Sequence, residues 1–301
     1  MIMENKAAQQ AVPEKKKKMN KKKKQQLIHQ WIRFGIQAVF FFWFPAAFTS
    51  GFSGVKYIFT QMGTGAVIER STFLTAFIVL CAYTVVFGRF FCGFACAFGA
   101  FGDWVHTVYI WICKKIKKKP LTIPQKITSK INWVKYAMLA LIALLCYLEV
   151  FSNLHGMSPW EVFSMFTVRN LQLAGYAAGS ILLIFIIAGM CLQERFFCRF
   201  LCPLGAVFSI LPVLPLFSLR RDRENCIGGC SACTRQCPSD IELSAKGAWE
   251  NAGDCFQCQK CIDTCPKGNI STGISKIRGN EIVFTIIRAA ALAAVFLLIG
   301  I

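Results

Sequence analysis

Hydrophobic residues in this chain come in long unbroken runs separated by short polar segments. Apolar stretches of about 20 residues, the length a helix needs to cross a hydrocarbon layer, occupy 31–50, 72–90, 131–150, 174–192 and 282–301. Five membrane spans are predicted. The last carries Arg288 near its start, where a long side chain can snorkel to the interface. Two further apolar segments, 98–113 and 204–217, are shorter and suit interfacial or re-entrant positions. Residues 1–26 are polar, Lys-rich and without periodicity, so they read as a disordered tail. They lack the apolar stretch and small-residue site of a cleaved signal peptide.

Charge adds orientation. The chain is 55% hydrophobic yet carries a formal net charge of +19. Lys6, Lys15 to Lys18 and Lys21 to Lys24 precede the first span, and Lys114, Lys115, Lys117, Lys118, Lys119, Lys126 and Lys130 fill 114–130. The alternate loops, 51–71 and 151–173, hold only Lys56, Arg70 and Arg169. By the positive-inside rule the N-terminus, the 114–130 loop and 219–280 face the cytoplasm, and the C-terminus lies outside a multi-pass cytoplasmic (inner) membrane. Lysines beside spans also attract anionic lipid, by about 1 kcal/mol each. Membrane lipid is therefore the expected partner of these runs, and nucleic acid is not.

The apolar part repeats itself. Arg89-Phe90-Phe91-Cys92-Gly93-Phe94-Ala95-Cys96-Ala97-Phe98-Gly99-Ala100 aligns with Arg195-Phe196-Phe197-Cys198-Arg199-Phe200-Leu201-Cys202-Pro203-Leu204-Gly205-Ala206, identical at eight of twelve positions. The surroundings match too, so 27–113 and 131–218 read as two membrane repeats running in the same direction, related by an axis along the membrane normal. Spacing of four puts Cys92 and Cys96 on one side of a helical turn, and Cys198 and Cys202 likewise. Four sulfurs then face one point, which makes them candidates for a metal or iron–sulfur centre; a redox-active dithiol and simple packing stay open. Pro203 disfavours helical geometry at Cys202, so the second motif is expected to end at a break where the first, with Ala97, does not. Arg89 and Arg195 are expected at the interface or paired with thiolate charge. Cys81, Cys113, Cys146 and Cys191 read as small buried apolar residues.

Residues 219–280 carry the densest chemistry. Cys226-x3-Cys230-x2-Cys233-x3-Cys237-Pro238 is followed by Cys255-x2-Cys258-x2-Cys261-x3-Cys265-Pro266. Three close cysteines plus a distant Cys-Pro is the ligand pattern of a two-cluster bacterial ferredoxin, in which the fourth cysteine of each run serves the other cluster. One [4Fe-4S] centre is assigned to Cys226, Cys230, Cys233 and Cys265, the other to Cys255, Cys258, Cys261 and Cys237. Zinc prefers two separated Cys-x2-Cys pairs, and disulfides need an oxidising compartment. Gly228 and Gly229 can supply the turn that the longer first spacing requires. The fold class is mainly α: a polytopic membrane protein of about five spans with a parallel duplication, a small cytoplasmic two-cluster ferredoxin-like α+β domain over 219–280, and a C-terminal transmembrane helix over 281–301.

Paired membrane Cys-x3-Cys motifs followed by a two-cluster ferredoxin resemble the polytopic membrane ferredoxins that accompany periplasmic nitrate reductase and nitrous-oxide reductase, a family that includes quinol dehydrogenase membrane components. Ala97 departs from the proline usual there. The resemblance implies electron transfer between the cytoplasmic side or quinone and a redox partner, with the direction open. The preferred reading is a relay from two [4Fe-4S] clusters through a centre at Cys92, Cys96, Cys198 and Cys202 to quinone or an extracytoplasmic flavin, haem or reductase partner. A cytoplasmic electron donor or acceptor is the other expected partner. Such a chain would be an electron-transfer subunit of an oxidoreductase, and no residue is assigned a catalytic role. A quinone would need a proton acceptor, for which His155 and Glu161, or His106 with Asp103, are candidates. A copper-binding assembly factor for a respiratory oxidase and an iron–sulfur redox sensor are the alternatives.

Overall fold

The structure is a computed structural model that describes residues 24–300 apart from 154–155, 169–174, 215–216, 225, 244–248, 251 and 273–280. The chain is mostly helical. Helix α1 (Lys24–Trp43) runs into α2 (Ala47–Thr64) with a bend of 61°. Pro45 sits at the bend, where it offers no N–H and steers Phe44 away from helical geometry. The predicted first span therefore straddles a break, and most of the expected 51–71 loop is helix. Helix α2 stops at Gly65, whose φ of 66° and N–H to the Gln61 carbonyl form a left-handed cap.

Helix α3 (Thr72–Phe87) starts from Ser71, whose hydroxyl accepts the Leu74 N–H at 3.2 Å. After it comes a π-helical turn, Phe91–Ala95, then α4 (Ala97–Lys115), which turns a predicted short apolar segment into 19 helical residues. Helices α5 (Gln125–Ile131) and α6 (Val134–Tyr147) together form one apolar rod of spanning length. Helix α7 (Pro159–Val168) lies in the second expected loop, followed by α8 (Ala177–Leu192), a second π turn at Phe197–Leu201 and α9 (Pro203–Ile210). Helix α12 (Glu281–Ile299) is the second single rod long and apolar enough to span among the described residues, the bent pair α1–α2 qualifies as a third if taken as one span, and α3 and α8 have 16 residues each.

Between α9 and α12 the chain forms a small α+β unit. Strand β1 (Leu219–Arg221) is central, paired antiparallel with β2 (Trp249–Glu250) and β3 (Ile270–Thr272), flanked by short helices α10 (Ala232–Arg235) and α11 (Lys260–Thr264). Leu219, Ile241, Leu243, Ile262 and Ile270 close its core around Cys233, Cys255, Cys261 and Cys265.

The larger core is aromatic. Phe98 meets Phe163 at 4.1 Å and Phe197 at 4.3 Å between ring centroids, and Phe48, Phe52 and Trp160 extend the stack. Such pairs favour tilted or offset geometry over a loose apolar fill. Phe98 follows Cys96 by two residues and Phe197 immediately precedes Cys198, so the stack fixes both cysteine motifs.

Candidate redox site

Each membrane motif is a π turn closed by an i→i+5 bond: Cys96 N–H donates to the Phe91 carbonyl at 2.8 Å and Cys202 N–H to Phe197 at 2.9 Å. Isolated π turns inside helical segments are concentrated at functional sites. The expectation of an ordinary helical turn is corrected here. So is the expected inequality of the two copies. Cys96 (φ −69°, ψ 121°) and Cys202 (φ −72°, ψ 115°) leave the helix in the same extended conformation, although only the second is followed by proline. Each then caps the next helix; the Cys202 sulfur accepts the Gly205 N–H at 3.2 Å. All four cysteines are buried, and Cys96 lies within electrostatic range of Cys92, Cys198 and Cys202.

The arginines preceding the motifs are fully buried within the protein. Arg195 Nε donates to Asp103 Oδ1 at 2.9 Å, and its Nη atoms reach the Gly93 carbonyl at 2.7 Å and the Cys92 carbonyl. Arg89 reciprocates, with Nη2 3.4 Å from the Cys198 carbonyl and Nη1 3.1 Å from Ser209 and 3.7 Å from Asp254. Each motif's arginine thus ties down the other motif's backbone. A buried guanidinium is tolerable once a carboxylate and carbonyls replace its water. Gln37 adds a bond to Asp103 at 2.8 Å, and Lys135 bonds Asp254. Burial pushes the Asp254 carboxyl up, but Lys135 and Arg89 outweigh it and hold it below its ordinary range.

The second cysteine block docks onto this pair. The Phe256 ring contacts two guanidinium groups, 4.5 Å from Arg89 and 5.3 Å from Arg195. Its carbonyl packs so closely on Gly93 that a Cβ there would stand 2.3 Å away. Gln257 and Gln259, on either side of Cys258, adopt left-handed φ values of 53° and 62°. That costs a non-glycine residue energy and persists where surrounding contacts enforce it. Cys258 and Phe256 belong to the same hydrophobic cluster as Cys92, Cys96, Cys198 and Cys202.

Cys237, Cys255, Cys258 and Cys261 line one small cavity together with Leu219, Pro238 and Ile241. Burial pushes the Cys237 thiol up to about 11 and raises those of Cys255 and Cys261 as well. Such thiols ionise only when a metal takes the proton's place. Among the described residues no three Cys, His, Asp or Glu side chains converge closely enough to hold a single ion. A cubane takes one sulfur at each iron corner, so its ligands stand farther apart than those of one tetrahedral zinc. Four cysteines lining one cavity are the donor set such a cluster takes. Of the first assigned set, Cys233 and Cys265 are buried in the small core, Cys230 is half-buried and Cys226 is exposed.

The quinone candidates fare unequally. His155 lies outside the described residues, and Glu161 is half-buried in the first turn of α7. His106 Nδ1 is held against the Met190 and Cys191 carbonyls, both at 3.2 Å. Asp103 is paired with Arg195, yet it also borders a cavity of about 580 Å³ whose walls include Trp31, Arg33, Phe34, Trp104 and Lys260. Sequence reasoning missed the Asp103 and Asp254 partners and Phe256.

A family model described as a 4Fe-4S binding domain matches the chain twice, over residues 71–120 and 177–220, the segments carrying Cys92/Cys96 and Cys198/Cys202. An uncharacterized protein of Methanocaldococcus jannaschii is 30% identical over 202 residues, covering 67% of this chain and 70% of that protein. YccM of Escherichia coli, whose description names electron transport, is 25% identical, with 81% of this chain and 66% of YccM covered. The ferredoxin-type protein NapH of Haemophilus influenzae is 27% identical, with 65% and 66% covered. No solved structure matches.

Proposed function

The chain belongs to the ferredoxin-type membrane proteins of the Nap and Nos systems, and from that premise we propose that it relays electrons between cytoplasmic [4Fe-4S] clusters and quinone or an extracytoplasmic redox partner. In this reading Cys226, Cys230, Cys233 and Cys265 hold one cluster and Cys255, Cys258, Cys261 and Cys237 the other. Cys92, Cys96, Cys198 and Cys202 hold a third centre. Five spans, two parallel repeats over 27–113 and 131–218, and a cytoplasmic unit over 219–280 complete it.

The observation that carries the proposal is the seat of the second cysteine block: Phe256 and Cys258 pack into the cluster of residues that surrounds the membrane cysteines. The double match of a 4Fe-4S binding domain to the membrane motifs supports a centre there. A bound cluster supplies one-electron chemistry at thiolate-held iron. The protein's part is to hold that chemistry close to the membrane motifs, dry and fixed. Since hydrocarbon is about 30 Å thick, a carrier within the bilayer answers the need to move charge across it. The cavity beside Asp103 combines aromatic walls with a carboxylate, which supports quinone as one terminus.

Anaerobic purification with iron and sulfide quantification and EPR tests the proposal. Wild type should contain cluster iron, and Cys92→Ser/Cys198→Ser should lose a distinct part of it. Unchanged iron and spectra in the double variant remove the third centre, and iron-free wild type removes the whole reading.

A further inference from the structure

Three arginines lie fully buried around the second cysteine block, and they are not equivalent. Arg89 has Asp254 and Arg195 has Asp103, each with backbone carbonyls in addition. Arg288, on α12, has no carboxylate partner among the described residues. It is 1% exposed, which overturns the expectation that it snorkels to the interface. Its Nε reaches only the Phe284 carbonyl of its own helix, at 3.3 Å. Both Nη atoms are buried without a hydrogen-bond partner among the described residues. The guanidinium lies 4.9 Å from the ring of Phe90, the residue after Arg89, and within electrostatic range of Cys255.

Helix α12 is anchored to the same loop. Thr285, one turn before Arg288, exchanges hydrogen bonds with Gln259 at 2.7 and 3.2 Å, and Tyr83 donates to the Arg288 carbonyl at 2.9 Å. The face of α12 that carries Arg288 is therefore held against this loop. A permanently charged group kept dry with no anion among the described residues is in a costly arrangement. Something negative must answer it.

We propose that Arg288 is the countercharge of the cluster bound by Cys237, Cys255, Cys258 and Cys261, and that it sets that cluster's reduction potential. The inference rests on the cluster reading above. Four thiolates on a [4Fe-4S] core give a net negative charge in both common oxidation states, and reduction adds one electron. A fixed cation nearby stabilises the reduced form more than the oxidised form and raises the potential. Arginine keeps its proton throughout, so the electron arrives without a proton and Arg288 imposes no pH dependence on the couple. It is a positioning residue, acting through charge on the group that carries the electron.

The test is an EPR-monitored redox titration of the full chain, purified without oxygen, with iron counted in every sample. Arg288→Gln should keep its iron and shift one cluster signal to lower potential. At a fixed potential the reduced-to-oxidised ratio should fall at least tenfold, about 59 mV for a one-electron couple. Arg288→Lys, which keeps the charge, should stay near wild type. If Arg288→Gln loses the iron of one cluster while Arg288→Lys keeps it, the countercharge is likewise supported. Full iron with unshifted midpoints in Arg288→Gln overturns the proposal. So does loss of iron or of folding in Arg288→Gln, Arg288→Met and Arg288→Lys alike, because shape rather than charge is then what matters. Iron-free wild type would instead strike the cluster reading itself.

Discussion

Cys226, at the head of the first cysteine block, is exposed, and a side chain added at Gly228 would touch nothing. In the second block Cys255, Cys258 and Cys261 are buried, and the backbone of Phe256 rests on Gly93 with no space between. Similar ligand spacing has been placed in opposite surroundings. One block is exposed at its head; the other is packed against the membrane motifs. The difference teaches that the cysteine spacing specifies what can be bound, while the residues between the cysteines specify where it is presented. Isoleucine and two glycines make a loose external loop. Phenylalanine and two glutamines in left-handed conformations make an internal plug.

Five substitutions break or sharpen this contrast. Cys258→Ser, inside the plug, should remove roughly half of the [4Fe-4S] iron and the corresponding EPR signal, whereas Cys226→Ser at the open end should retain more of it; equal retention would erase the distinction. Asp103→Asn leaves Arg195 buried without its carboxylate partner and should cost about 3–5 kcal/mol, read as a fall in the thermal unfolding midpoint of the detergent-solubilised protein. Gly93→Ala drives a methyl group against the Phe256 carbonyl and should cost about 1–3 kcal/mol. Faster proteolysis within the 252–259 loop would mark its release. Gly228→Ala should change stability by no more than about 0.5 kcal/mol, and a larger loss there would show the first loop to be packed as well.

Much of the plan was legible in the chain. Both cysteine blocks, the repeated Arg-Phe-Phe-Cys motif and the apolar runs stand out because metal ligation and membrane burial each demand a residue type at a spacing. Pro45 inside the predicted first span was a visible warning of the break. What escaped was long-range pairing. Asp103 is the only acid between Glu69 and Glu149, and a lone carboxylate amid apolar residues signals a buried cation. Its partner, Arg195, stands 92 residues away, and nothing local names it. The π turns were equally hidden, since an i→i+5 bond leaves no mark in hydrophobic spacing. Arg288 was misread for a related reason: position near a helix end suggests access to water, but the packing of Thr285 on Gln259 turns that face inward.

The contact between Gly93 and Phe256 bears on how readily charge could cross it. Electron transfer slows when dipoles and side chains around donor and acceptor must reorient each time the charge moves. Here a peptide carbonyl sits flush against bare backbone, and the adjoining ring is in contact with two guanidinium groups already committed elsewhere. Such a junction has few soft degrees of freedom. Transfer through it should carry a small reorganisation energy and a shallow temperature dependence.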